Sequence, residues 1–142
     1  MSRAAVIELL GNDEVLGEAP YNIAEQNIFP TFAMQGSRRQ PIEADDYFII
    51  LRWEETLDTI GDVQVLTIWV HRSRSKGVNF KALRDMLWRI KQVLETSTSV
   101  VGSDGDTMTQ ARFKGMGPDL ADEGYDTLTK YAIFEVNTKT GS

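Results

Sequence analysis

Several groups of residues in this chain have the types and spacing to do chemistry. His71, the only histidine, stands two positions before Ser73 in WVHRSRSK, residues 69–76. A catalytic triad needs a nucleophile, a base within hydrogen-bond reach and a third group that orients the base. In a strand, residues two apart point the same way without a fixed contact, and no G-x-S-x-G turn is present to present a serine. His71 is therefore expected to be a strand-end histidine with no catalytic role. Arg72, Arg74 and Lys76 alternate with serines in the same stretch and could hold phosphate. They lack the interleaved aromatic residues on which bases stack, so contact with solvent or another protein is expected instead.

The remaining motifs fall short of a cofactor or metal site. GMGPDL, residues 115–120, has the first two glycines of a dinucleotide fingerprint. Leu120 stands where the third belongs, and Pro118 disturbs the helix start that motif requires. Asp104 and Asp106 imitate part of a calcium loop whose later ligands are absent, so a turn is expected. The Glu54–Glu55 pair and the Glu43, Asp45, Asp46 group have no visible partner acid, and surface charge is their expected role. Trp53, Trp69 and Trp88 suit core or interface packing. No catalytic residue, cofactor or metal is assigned.

Composition agrees with a binding protein. The chain has 142 residues, a length suited to one compact domain, and no cysteine for disulfides or thiolate metal sites. Its net charge is −6, with 21 acidic against 15 basic residues. A protein that grips nucleic acid usually carries the opposite sign, because phosphate neutralisation supplies much of the affinity. No apolar run reaches the ~20 residues that span a bilayer. The N-terminal MSRAAVIELLGNDEV lacks the long apolar centre of a signal peptide and is expected to be folded structure, with no membrane partner.

The elements that must position these groups follow from periodicity. Ser2 can cap a short helix over 3–10, which Gly11 and Asn12 can end, and NDEVLGEA can restart a turn. Residues 28–34 are apolar, but Pro30 restricts them to an edge strand or lead-in. QGSRRQPIEADD, 35–46, is polar and expected to be a loop. Residues 47–53 (YFIILRW) and 63–70 (VQVLTIWV) are expected to be strands, paired antiparallel because EETLDTIGD is too short for a helical crossover. Asn79 can cap the clearest element, a helix with Phe80, Leu83, Leu87, Ile90 and Leu94 on one stripe, widened by Met86 and Val93. It should end near TSTS. VVGSDGDT reads as turn, MTQARFKG as a third strand, MGPDLADEGYD as a loop and TLTKYAIFEV, 127–136, as a fourth strand. The expected fold is α+β: a single mostly antiparallel β-sheet, the long amphipathic helix packed on one face, and a short N-terminal helix. One domain over 1–136 and a flexible tail over 137–142 are expected.

MSRAAVIELLGNDEVLGE, NIFPTFAM, FIILRWEE, VLTIWVHRSRS and FKGMGPDLADEGYDTLTKYAIFEV, in that order and spacing, resemble the tail terminator proteins of long-tailed, siphovirus-type phages of actinobacteria. The resemblance covers residues 1–136. The loop at 35–46 departs from the shorter, proline-rich segment of that family, so no contact is assigned to it. The resemblance implies a structural virion protein without enzymatic activity. It would form a ring, usually a homohexamer, on the head-proximal end of the tail tube, stop tube polymerisation and dock the head–tail connector or stopper protein. Its partners would be its own copies, the tail tube protein and that connector, with genomic DNA passing through unbound. It would fold in the host cytoplasm and reside at the neck end of the tail. Another neck protein, a stopper or tail-completion protein, shares this composition. A small hydrolase using His71 is the distant alternative. In a ring, Arg72, Arg74 and Lys76 are expected to face an adjacent subunit or neck protein. Glu54 and Glu55, or Asp119, Asp122 and Glu123, are the candidate acidic partners.

Overall fold

A computed structural model describes residues 3–18, 21–29, 47–55, 63–73, 80–122 and 127–139. In chain order the elements are α1 (Arg3–Gly11), α2 (Glu14–Gly17), β1 (Ile28–Phe29), β2 (Phe48–Glu55), β3 (Val63–Ser73), α3 (Phe80–Thr96), β4 (Val100–Val101), β5 (Thr107–Met116), β6 (Leu120–Asp122) and β7 (Thr127–Lys139). All seven strands join one sheet in the order β1-β2-β3-β7-β5-β4, with β6 also paired to β7. Every pairing is antiparallel except that of β1 with β2. This is the expected α+β architecture, a mostly antiparallel sheet with a long helix against it and a short N-terminal helix; the sheet is in addition curled.

The two-residue period of β3 sorts its side chains between two environments. Gln64, Leu66, Ile68 and Val70 are buried, on the face that packs with Leu83, Met86, Leu87, Ile90 and Leu94 of α3. These helix residues match the expected stripe. Phe80 and Val93 flank it, half-buried. The opposite face carries a smaller core, Phe48 and Ile50, against which Phe29 and Trp69 pack. That division explains why residues 47–51 are apolar at every position: Tyr47, Ile49 and Leu51 serve the main core, Phe48 and Ile50 the second. The hydroxyls of TSTS close α3, as Thr96 Oγ1 donates to the Gln92 carbonyl (2.6 Å) and Ser97 Oγ to that of Val93 (2.6 Å).

Three elements depart from the sequence expectation. Val100–Val101, inside the stretch expected to be turn, forms the short β4. The turn that follows contains Gly105 at φ 85°, and Asp104 Oδ1 accepts the Asp106 N–H at 3.1 Å. Both aspartates thus serve a hairpin, as the turn reading required. Leu120–Asp122, expected to be loop, pairs with Thr127–Thr129 as β6. The β7 strand also runs to Lys139, so residues 137–139, expected to belong to a loose tail, pair with β5; residues 140–142 lie outside the described residues, as do Asn79 and the loop at 35–46.

The β5 and β6 segments lie along one edge of β7 as a single interrupted strand. Its register slips between Met108 and Gln110 and again between Phe113 and Gly115. A third slip occurs between Met116, opposite Ala132, and Leu120, opposite Thr129. Each places an extra residue on the outer strand, and such bulges bend a strand and increase its twist. They supply the curl of the sheet. Pro118 sits in the third bulge, where its missing N–H breaks no ladder bond, while the Gly117 N–H donates to the Tyr131 carbonyl at 2.8 Å. A Cβ on Gly117 would lie 2.1 Å from the Tyr131 ring, so only glycine lets that ring settle over the bulge.

Leu87→Ala should lower stability by about 2–5 kcal/mol, because it opens a cavity between α3 and the sheet. Trp88→Ala, one position on but 43% exposed, should cost less. Urea denaturation midpoints of the two variants check this; equal shifts would show that the stripe is not the packing face.

Candidate functional site

His71 lies near the end of β3 and is 2% exposed. Its ring stacks on Phe48, its partner on β2, with centroids 4.6 Å apart and planes 4° from parallel. Nδ1 shares a hydrogen bond of 2.8 Å with Thr127 Oγ1. Thr129, directly opposite on β7, donates its hydroxyl to the Val70 carbonyl at 2.9 Å. Burial holds the imidazole pKa down to about 4, with the charge of Asp122 opposing the shift. A ring in this setting is neutral at pH 7 and closed to substrate. The described residues place beside it a threonine and an aromatic ring, the surroundings of a packing histidine. Among the described residues no group of three His, Asp or Glu side chains could hold a metal ion.

The basic strand end begins one residue later. The Arg72 guanidinium lies over the Tyr47 ring, 5.3 Å from its centroid, and the residue is half-buried. Arg74, Lys76 and Glu123 lie outside the described residues. Cross-strand register puts Arg72, Leu128 and Ala121 in one row and Ser73, Thr127 and Asp122 in the next. Asp122 therefore belongs to the same end of the same subunit as Arg72. Asp119 already accepts Lys130 Nζ at 2.9 Å within the chain. Glu54 pairs with Arg52 at 3.2 Å, both well exposed, and Glu55 ends β2. Arg72 lies seven residues along β3 from Val65, the partner of Glu54, so these groups are roughly 23 Å apart. The fold brings Asp122 to the basic end and leaves Glu54 and Glu55 at the far end of the sheet.

Two further surfaces carry residues that the sequence leaves without an assigned site, although Trp88 is expected from it to serve core or interface packing. Along one flank of α3, Trp88 is 43% exposed, its ring 6.0 Å from that of Phe113 on β5. Lys91 Nζ sits 5.6 Å from the Trp88 ring and 5.5 Å from the Phe113 ring, and pairs with Glu95 at 2.7 Å. Glu95 Oε2 also accepts the Phe113 N–H at 3.2 Å, satisfying a donor on the outer edge of β5. The lysine ammonium and that N–H together hold the Glu95 carboxyl below its usual range. Along the other flank, Arg89 donates from Nε (3.0 Å) and Nη2 (2.7 Å) to both oxygens of Asp13. Asp13 also caps α2 by accepting the Leu16 N–H at 3.1 Å. The Arg89 hydrogen bonds hold the Asp13 carboxyl below its ordinary value against the opposing effect of burial. An open cleft beside this pair is lined by Glu8, Asn12, Gln92 and Thr96. The helical wheel alone could have flagged Trp88, which stands 100° from Leu87 and off the buried stripe. Nothing in the sequence links Asp13 to Arg89.

No protein-family model matches the chain, and no curated protein matches it in sequence. Among solved structures, a chain of the virion of a native gene transfer agent particle is similar in fold. The match has 16% sequence identity and a TM-score of 0.62, and covers 96% of this chain and 92% of that chain. The likeness thus spans the whole architecture, including the curled sheet and α3.

Burial of neutral His71 makes stability depend on pH. The unfolded histidine, with pKa about 6.5, binds a proton that the folded ring refuses until about pH 4. Between those values the unfolded state holds more protons, so stability falls as pH drops, by up to about 3 kcal/mol. Denaturation of wild type and His71→Gln from pH 7 to pH 4 should give a steeper loss for wild type. Equal slopes would show that His71 does not carry the effect. Asp13→Ala should cost about 1–3 kcal/mol at pH 7, through loss of both the cap and the bidentate pair. A double-mutant cycle with Arg89→Ala measures the share of the pair; zero coupling would assign the whole loss to the cap.

Proposed function

We propose that this chain is a non-catalytic structural protein of a virion and that it acts as a tail terminator. The observation that carries the reading is the whole-length likeness of fold to a chain of a gene transfer agent virion. The sequence resemblance over residues 1–136 narrows it to the ring that caps the head-proximal end of the tail tube.

Tube rings stack head to tail, an arrangement with no built-in limit. A ring that matches the tube on one face and lacks its growing surface on the other ends the series. That free face then receives the head connector or stopper. The work is geometric, and the features described above suit it: a sheet backed by one long helix, a buried histidine, and a surface that carries charge and exposed apolar side chains. The net charge of −6 per copy disfavours adhesion to DNA travelling through the ring. Arg72 near the end of β3, with Arg74 and Lys76 following it in the sequence, meets a neighbouring subunit or neck protein in this reading.

The test is tail assembly without the gene for this chain, followed by addition of the purified protein. Tails should lose their length limit or fail to join heads, and the protein should restore both. Electron microscopy of intact tails should place the chain in the layer that directly caps the tube. Its appearance in a layer nearer the head would make it a different neck protein, and its absence from virions would sink the structural reading.

Charge reversal addresses the basic end. Exposed ion pairs contribute about 0–1 kcal/mol each, so one substitution should do little. Changing Arg72, Arg74 and Lys76 together to Glu should weaken joining, and raised salt should weaken wild-type assembly in the same direction. Normally capped and joined tails from the triple variant would remove these residues from the interface.

A further inference from the structure

We infer that the Trp88 flank of α3 is a contact surface for a second copy of this chain, and that it receives the α2 corner of that copy. The inference rests on the ring reading above and names the surfaces that would close the ring. Two exposed apolar side chains anchor it, Trp88 at 43% and Val15 at 42% exposure.

The two anchors have opposite electrostatic rims. Trp88 stands beside Lys91 and one turn from exposed Arg84. Two acids stand here too, Asp85 paired with Lys81 and Glu95 paired with Lys91, so Lys81, Arg84 and Lys91 leave the flank with one net positive charge, carried by Arg84. Val15 stands beside exposed Glu14 and near exposed Glu18. Asp13, the one acid of this corner with a basic partner described above, faces inward to Arg89. An apolar centre with a net positive rim thus meets an apolar centre with an acidic one. Two copies of the α2 corner would set like charges together, so self-pairing through that corner is disfavoured.

Their placement suits a head-to-tail contact. Trp88 and Arg89 are consecutive residues and project 100° apart on α3. Trp88 leans to β5 through Phe113, and Arg89 leans to α2 through Asp13. The two patches therefore lie on opposite flanks of the same helix. A rotation that seats one copy's α2 corner on its neighbour's Trp88 flank can be repeated around an axis, which is how unlike surfaces generate closed rings. Trp88 has the character of an interface anchor: a large ring, partly ordered by Phe113 and Lys91, with its remaining surface in solvent.

The chain has no cysteine, so introduced thiols report only the chosen sites. Val15→Cys and Arg84→Cys together leave Trp88 in place and should give disulfide-linked oligomers under mild oxidation. Each single variant should remain monomeric on a non-reducing gel. Adding Trp88→Ala to the double-cysteine chain should cut the cross-linked yield about tenfold without lowering its melting temperature into the assay range. The reaction is run on the purified protein and on isolated tails, with rings counted by electron microscopy in both. Rings without cross-links, or dimers from Arg84→Cys alone, would overturn this contact while leaving the ring reading intact. Absence of rings from both preparations would overturn the ring reading itself.

Discussion

The antiparallel pairing of β3 with β7 is the constraint on which the other contacts depend. It runs without a register break from Val63 opposite Asn137 to Ser73 opposite Thr127. One slip of a residue would exchange the faces of every side chain in either strand. The pairing is held in register because both faces are occupied and differ. Leu66, Ile68 and Val70 meet Ala132, Phe134 and Val136 under α3, while Trp69 meets Tyr131 on the far side with ring centroids 4.5 Å apart. The same register delivers His71 to Thr127 and aligns Arg72 with β6.

From that pair outward the sheet becomes less regular, and the irregularity has a use. On one side β2 continues the regular ladder. On the other, the three bulges of β5 and β6 bend the edge, and Gly117 admits the Tyr131 ring. Charged and hydrogen-bonding groups then occupy that edge: Glu95 takes the Phe113 N–H, and Lys114 pairs with Glu135 at 3.4 Å. Bulges and charge are recurrent means of keeping a strand edge from uncontrolled pairing. For a protein proposed to work in an ordered ring, a protected edge steers association toward side-chain surfaces instead.

Electrostatics divides into buried and surface parts with different roles. Inside, His71 is kept neutral, and Asp13 is held ionised by Arg89 at a helix start. These groups position α2 and the end of β3, and they make no demand on a ligand. Outside, Glu14 and Glu18 flank α2, Arg84 and Lys91 stand near Trp88 together with Asp85 and Glu95, and Arg72 shares its end of the sheet with Asp122. A uniform coat of charge would aid solubility alone. A local excess such as that around α2 would add direction to the proposed ring contact, since two such corners meeting would set like charges together.

Much of this was legible in the residues themselves. The α3 stripe, the two strands before it, the fourth strand and the weakness of every catalytic motif follow from period, composition and missing partners. Short elements were not legible: Val100–Val101 and Leu120–Asp122 are too brief for a periodic signal, and Pro118 with its glycines looks like a loop because a bulge uses the same residues. Local sequence also determined the aspartates of the Gly105 turn and the hydroxyls that close α3, since those bonds span only a few positions. Tertiary structure alone decided that His71 meets Thr127, that Arg89 clasps Asp13 and that Asp119 already belongs to Lys130. It also decided that Trp88 remains half in solvent while its neighbour Leu87 is buried. The physical reason is range: a helix or strand period is written in adjacent residues, whereas partnership and exposure are set by which distant segments the β3–β7 register brings together.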